Sequence, residues 1–231
     1  MQTTTNTQSI SVRKWSWFYI FCLLLSSCYG PKKVNKWMED KYGTSIRTQT
    51  KTKDDYFSIS SKLVTNDQAA STTVKQTKHL LPLIFYWQAD YINTVTLNPK
   101  IPVSTFSSTF RTYANAKGLK QKLNGAKIEV SVDAVPNVFA IDDRGHIIWL
   151  IFAVGWDVFS VIPENKDLVV SYRVTKDSIE TKTGKVIVPD MNKPLLHQKK
   201  VKEGTFDYLA QYDENIKAMT KKTADKIIEE L

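Results

Sequence analysis

An α+β fold, with a mostly antiparallel sheet and two helices, is predicted by three observations. Lys127–Pro136 (KIEVSVDAVP) alternates Ile128, Val130, Val132 and Ala134 with Glu129, Ser131 and Asp133. That two-residue period belongs to a strand buried on one side only. Two other stretches change to spacings of three and four: Phe106, Phe110 and Tyr113, and then Leu209, Tyr212, Ile216, Met219, Thr223, Ile227 and Leu231. Such spacing gathers the apolar side chains on one helix face. The remaining apolar runs are short and separated by turn residues, as strands are.

Taken in order, residues 56–65 (YFSISSKLVT) partly alternate and read as a strand, and residues 66–79 as a polar loop. Leu80–Trp87 (LLPLIFYW) is a buried strand that starts after Pro82, because proline cannot donate to a ladder. Tyr91–Pro99 (YINTVTLNP), β-branched with a proline stop, reads as another strand. Residues 101–125 form a helix capped by Ser104 or Thr105, whose hydroxyls accept free backbone N–H groups. Gly118 interrupts it and Asn124-Gly125 ends it. After the alternating strand, Asp142-Asp143-Arg144-Gly145 reads as a turn. Ile147–Val154 (IIWLIFAV) is far too short to cross a membrane and reads as a central strand. DVFSVIP, DLVVSYRVT and KVIVP are further strands, with TKTGK as a hairpin turn. Gly204–Leu231 is an amphipathic helix packed on the sheet.

Upstream of this domain the chain has a different character. Arg13 and Lys14 precede an apolar run from Trp15 to Leu25, and no acidic residue occurs before Glu39. A basic start, a short apolar core and small residues are the marks of a secretory signal peptide. The stretch Leu25-Ser26-Ser27-Cys28 resembles the lipobox of bacterial lipoproteins, which implies cleavage between Ser27 and Cys28. It also implies a diacylglyceryl group on the Cys28 thiol and an N-acyl chain on the new terminus. Small residues at 26 and 27 suit a peptidase that must admit that bond. The expected organisation is a signal peptide over 1–27, a polar tether over 28–55, and one α+β domain over 56–231. An uncleaved N-terminal anchor is the alternative.

The two cysteines of the chain, Cys22 and Cys28, are not read as a bridge, since Cys22 lies in the apolar core of the segment to be removed. No further Cys or His lies nearby to make a metal site. Removing residues 1–27 takes Arg13 and Lys14 from a formal charge of +9 and leaves +7 on 204 residues. A basic surface favours phosphate. Behind a secretion signal that points to anionic envelope lipid or an envelope protein as partner, and not to nucleic acid; scattered solubilising lysines are the other reading.

No catalytic site is expected and no cofactor beyond the acyl chains. The three histidines are His79, His146 and His197. A hydrolase would have to combine His146 with Asp142 or Asp143 and a serine, without any Gly-x-Ser-x-Gly elbow. Asp142, Asp143 and Asp157 do not follow a calcium-loop pattern, and no metal site is expected. Trp149, Phe152, Trp156 and Phe159 read as core or sheet-packing aromatics, with a groove for acyl chains as the alternative. Lys199, Lys200 and Lys202 form a basic loop. With Trp149 and Trp156 they are the candidate contacts for lipid or a partner.

Two stretches carry a wider resemblance. Phe110–Pro136 (FRTYANAKGLKQKLNGAKIEVSVDAVP) and Tyr212–Leu231 (YDENIKAMTKKTADKIIEEL) resemble small envelope lipoproteins of the auxiliary-transport and lipopolysaccharide-assembly type. The resemblance implies an outer-membrane lipoprotein with a tethered α+β domain, a two-layer sandwich whose two helices pack on one face of the sheet. In Bacteroidetes-type lipoproteins an acidic run directly after the lipidated cysteine is similar to a surface-export signal. Tyr29-Gly30-Pro31-Lys32-Lys33 has none, which implies the periplasmic face. A periplasmic lipid carrier with an elongated apolar cavity is the remaining reading.

Overall fold

The computed structural model describes residues 36–37, 40, 55–63, 70–81, 84–149, 152–198 and 200–231. Among the described residues, nine strands and three helices are delimited in the order β1 (Phe57–Ser61), β2 (Ala70–Leu81), β3 (Ile84–Thr96), α1 (Lys100–Ala116), α2 (Leu119–Leu123), β4 (Lys127–Ala134), β5 (Val138–Trp149), β6 (Ala153–Pro163), β7 (Leu168–Lys176), β8 (Ile179–Val188), β9 (Leu195–Gln198) and α3 (Val201–Glu230). The fold class is α+β and mostly antiparallel. The strands divide between two sheets, however, where the sequence pattern suggested one: β1-β4-β7-β8 and β2-β3-β5-β6-β9. The four-stranded sheet is mixed, because β1 runs parallel to β4.

The division follows from chain length between partners. β2-β3 and β5-β6 are long hairpins, and β3 pairs with β5 across twelve positions from Phe85–Trp149 to Thr96–Val138. β4, between them in sequence, pairs instead with β7. Several expected boundaries change accordingly. Residues 70–79, expected in a loop, belong to β2, because β3 supplies a full ladder that outweighs their polarity. Of LLPLIFYW, Leu80-Leu81 end β2 while Ile84–Trp87 join Tyr91–Thr96 of YINTVTLNP in one strand, β3. The expected turn at Asp142–Gly145 lies inside β5, hydrogen-bonded by neighbours on both sides. IIWLIFAV is not one central strand but the end of β5 and the start of β6. TKTGK lies within β8. The hairpin turn is Asp177-Ser178, with φ of 50° and 67°, the paired positive values of a two-residue hairpin loop.

The helices hold better to expectation. α1 starts at Lys100, where Asn98 Oδ1 accepts from the Lys100 N–H at 3.1 Å. Ser104 and Thr105 are buried inside the helix and do not cap it. Thr105 Oγ1 donates to Asp213 on α3, which is why a hydroxyl sits at that buried position. Gly118 separates α1 from α2 in a left-handed conformation (φ 77°), which glycine adopts without steric cost.

Two cores result. The first joins Phe106, Phe110, Leu119 and Leu123 of α1 and α2 to Ile128, Val130, Leu168, Val170, Val186 and Val188 of the four-stranded sheet. Met219, Ala224 and Ile227 of α3 complete it. The second joins Val95, Phe139, Ile141, Phe159 and Val161 of the five-stranded sheet to Ile101, Tyr208, Leu209, Tyr212 and Ile216. α3 therefore serves both, its first half in one and its second half in the other. At thirty residues it is about 45 Å long. The alternating strand β4 buries Ile128, Val130 and Val132 as its period requires.

Close approach fixes one glycine. Gly184 on β8 faces Tyr172 on β7, and a Cβ there would meet the Tyr172 ring at 2.5 Å. The ring is buried and its hydroxyl bonds Glu230 at the end of α3. Gly184→Val is expected to destabilise the fold by about 1–3 kcal/mol, the usual cost of overpacking, read as a lower midpoint in urea unfolding. An unchanged midpoint would mean that Tyr172 can swing aside without loss.

Candidate functional site

The five-stranded sheet is longer than the core it covers. Phe139, Ile141, Phe159 and Val161 are buried against α3, whereas farther along the same strands Trp149 is 57% exposed, Phe152 67%, Val154 48% and Trp156 42%. The ladder β3-β5-β6 carries Phe85 opposite Trp149, and Trp149 opposite Ala153. The β2-β3 and β5-β6 hairpins thus end side by side. Of the four aromatics read as core, only Phe159 is; the other three belong to this projecting end.

Because neighbours in a strand point to opposite faces, the end is apolar on both. One face carries Phe85, Trp87, Ile147 and Trp149; the other Tyr86, Ile148, Val154 and Trp156. The polar side chains on the second face, Tyr86, Gln88 and His146, are bonded to their neighbours. Tyr86 Oη donates to Gln88 Oε1 at 2.8 Å and lies 2.9 Å from His146 Nδ1. Gln88 Nε2 donates to Asp90 Oδ1 at 2.8 Å. With the Tyr86 proton on Gln88, the imidazole donates through Nδ1–H, so hydrogen bonding runs in one direction from His146 to the Asp90 carboxylate. Trp156 stacks on the imidazole at 5.2 Å. The alternation of Tyr86, Gln88 and Asp90 is visible in the sequence; their register with His146 across sixty residues is not.

No hydrolase triad forms. Among the described residues no serine bonds His146. Asp142 is committed to Arg144, whose Nη2 and Nε donate to its Oδ2 at 2.6 and 3.0 Å. Asp143 points to the opposite face. Partial burial, and then the charges of Asp157 and Asp142, push its carboxyl above the ordinary 3.8. His197 sits in β9 and His79 in β2. No group of three or more His, Cys, Asp or Glu that could hold a metal occurs among the described residues.

The raised Asp143 carboxyl predicts a pH effect. The folded chain binds this proton at a higher pH than the unfolded chain does, so stability rises as pH falls through the folded value toward 3.8. Asp143→Asn is expected to raise the thermal midpoint at neutral pH and to flatten the gain on mild acidification. Asp190 is raised as well, by burial against the opposing bonds of Asn192, so the slope shrinks without vanishing. A variant with the parent slope would show that Asp143 ionises freely.

The other candidate residues are dispersed. Ser27, Cys28 and Lys199 lie outside the described residues. Lys200 precedes α3 and pairs with Glu203 at 2.7 Å, and Lys202 is exposed within α3. The expected basic loop is therefore the start of a helix at that point. A separate shallow basin of about 650 Å³ lies on the open face of the four-stranded sheet, lined by Lys62, Glu129, Ser131, Ser171, Arg173 and Lys185 among others. Its charges are largely matched internally, Arg173 to Glu129 at 2.5 Å and Lys62 to Asp133 at 2.9 Å. Burial opposes ionisation of Asp133, but bonds from Ser171 and Lys62 hold its carboxyl below the ordinary value. Exposed pairs of this kind contribute little.

Residues 36, 37, 40 and 55 of the expected tether are described. Trp37 stacks on Phe206 of α3, centroids 4.5 Å apart, against the second core. No helix among the described residues is long and apolar enough to cross a membrane. No family model matches the chain, and no curated protein and no solved structure matches it.

Proposed function

We propose that the chain is an envelope lipoprotein, acylated at Cys28 and held at the outer membrane facing the periplasm, that acts as a binding component and not as an enzyme. The observation that carries this reading is the exposed apolar end of the five-stranded sheet, in a chain whose Leu25-Ser26-Ser27-Cys28 follows Arg13-Lys14 and an apolar run. Large exposed apolar patches mark contact with a membrane or a partner. The hydrolase reading is disfavoured because, among the described residues, His146 bonds no serine, and the Tyr86 hydroxyl beside it already donates to Gln88. The lipid-carrier reading is disfavoured because both cores are filled by large side chains, among them Phe106, Phe110, Phe139 and Tyr208. We further read α1 and α3 as one helical layer over the four-stranded sheet, a reading supported by the side chains they share in the first core.

Intact-mass analysis of the chain recovered from membranes tests the proposal. The expected product begins at Cys28 and carries acyl mass. Recovery of a chain that retains Met1 and no acyl group overturns it.

A further inference from the structure

We propose that the end of the five-stranded sheet where β3, β5 and β6 carry no charge dips into the head-group region of the bilayer, a second and non-covalent membrane contact beside Cys28. The inference rests on the lipoprotein reading and names what the exposed end binds.

Charge is excluded from this end to a common level on three strands. The first charged positions are Asp90 on β3, Arg144 on β5 and Asp157 on β6; Asp90 and Arg144 are register partners, and Asp157 pairs with Gly145 beside them. Above that level lie about five residues, roughly 16 Å at ~3.3 Å per residue. In the sequence, Pro82-Leu83 and Leu150-Ile151, which follow β2 and β5, carry no charge either. Lys78, on edge strand β2 opposite Trp87, is the charged position alongside the band.

A partner protein would cover one face of the sheet. Here both faces are apolar, which suits a medium that surrounds the end. The polar groups inside the band, Tyr86, Gln88 and His146, are bonded to one another, as a low-dielectric surrounding requires. Tryptophan at 87, 149 and 156 is the residue that favours the membrane interface.

Chain length supports the same occupant. Trp37 is pinned to Phe206, so nine residues separate Cys28 from a fixed point, at most about 30 Å of extended chain. Phe206 lies in the first turns of α3. There Gly204 meets Phe159, and a Cβ on it would touch that ring at 2.8 Å. From Phe159 to Ala153 is six residues of strand, about 20 Å. An acyl group on Cys28 therefore reaches a bilayer that the sheet end also touches.

Depth is limited by the backbone. β6 pairs with β9 only at Phe159 and Val161, so its outer edge above Phe159 has no partner strand among the described residues. Unpaired edges are not tolerated in hydrocarbon. Insertion thus stops at the 5–10 Å of interfacial elements, two or three residues deep. Behind the band the acidic positions Asp90, Asp142, Asp143 and Asp157 outnumber the basic ones, Arg144 and Lys75, both register partners of Asp90, so the contact is apolar and does not call for anionic lipid.

The test uses the full chain with Cys22→Ala and Cys28→Ala, and a single environment-sensitive fluorophore on Phe152→Cys. A parallel sample carries it on Thr183→Cys, in the open basin of the other sheet. Phosphatidylcholine vesicles with brominated acyl chains are expected to quench the label at 152 several-fold and to leave that at 183 unchanged, with no loss at high salt. Equal emission at the two positions overturns the proposal. So does quenching that needs anionic lipid and disappears in salt, or a label at 152 shielded without lipid in a dimer on gel filtration, which would make the end a self-association face. Quenching at 152 in a chain that cells never acylate would instead sink the lipoprotein reading and leave the contact standing.

Discussion

Cys28→Ala is expected to abolish acyl labelling and to leave a precursor that keeps residues 1–27, whereas Cys22→Ala leaves labelling and processing unchanged. The asymmetry follows from the chemistry. In the proposed lipoprotein the thiol at 28 is the acyl acceptor and its backbone nitrogen becomes the new terminus, whereas the thiol at 22 belongs to the apolar run that would be discarded. The effect is large because a single acyl chain binds a bilayer only marginally, about 10⁴ M⁻¹, and firm anchoring needs two signals or more. Removing Cys28 removes every chain at once. The retained apolar run can itself associate with membranes, so the decisive readouts are acyl label and intact mass rather than fractionation alone. Label that persists on Cys28→Ala, or that vanishes equally in Cys22→Ala, contradicts the assignment.

Phe110→Ala and Ile216→Ala are expected to cost about 3–5 and 2–5 kcal/mol respectively, and to lower the same single unfolding transition. Phe110 is fully buried in the first core, stacked on Phe106 with centroids 5.6 Å apart; Ile216 is 1% exposed in the second. Two separately folding units would give two transitions, each sensitive to one substitution. The continuous helix α3 argues against that, since Leu209, Tyr212 and Ile216 serve one core and Met219, Ala224 and Ile227 the other without a break. The junction is further tied by the buried bonds from Thr105 to Asp213 and from Tyr212 Oη to the Pro136 carbonyl, the latter at 2.6 Å. Denaturant melts followed by tryptophan fluorescence and by far-ultraviolet circular dichroism decide the matter: coincident curves are expected, and separated ones would show that α3 bends or frays between the cores.

Periodicity made the helices and β4 legible, because each has one buried face and one wet face. The same logic failed where a strand lacks that contrast. β2 is an edge strand of Thr, Ser, Lys and Gln, and only its pairing with β3 defines it. β5 carries Asp142 and Asp143 in its middle, which locally look like a turn. Ile147–Val154 is apolar because it projects from the sheet, not because it is buried, and composition alone does not separate those cases. The partner set of His146 depends on register between β3 and β5, a non-local quantity. Trp37 and Phe206, likewise, are unremarkable in sequence until the start of α3 is set against the second core.

For a chain anchored at Cys28 as proposed, the stacking of Trp37 on Phe206 would also set how much space the domain samples. Treated as a random coil, nine steps of chain from Cys28 to Trp37 have a root-mean-square span of about 17 Å, against about 29 Å for the 27 steps from Cys28 to Asp55. The volume swept would differ by roughly fivefold, and the effective concentration of the domain at its own patch of membrane would rise by the same factor. Under that proposal the aromatic pair converts a loosely roaming head into one confined close above its anchor, and a partner reaching the open basin of the four-stranded sheet would meet it within that narrow shell.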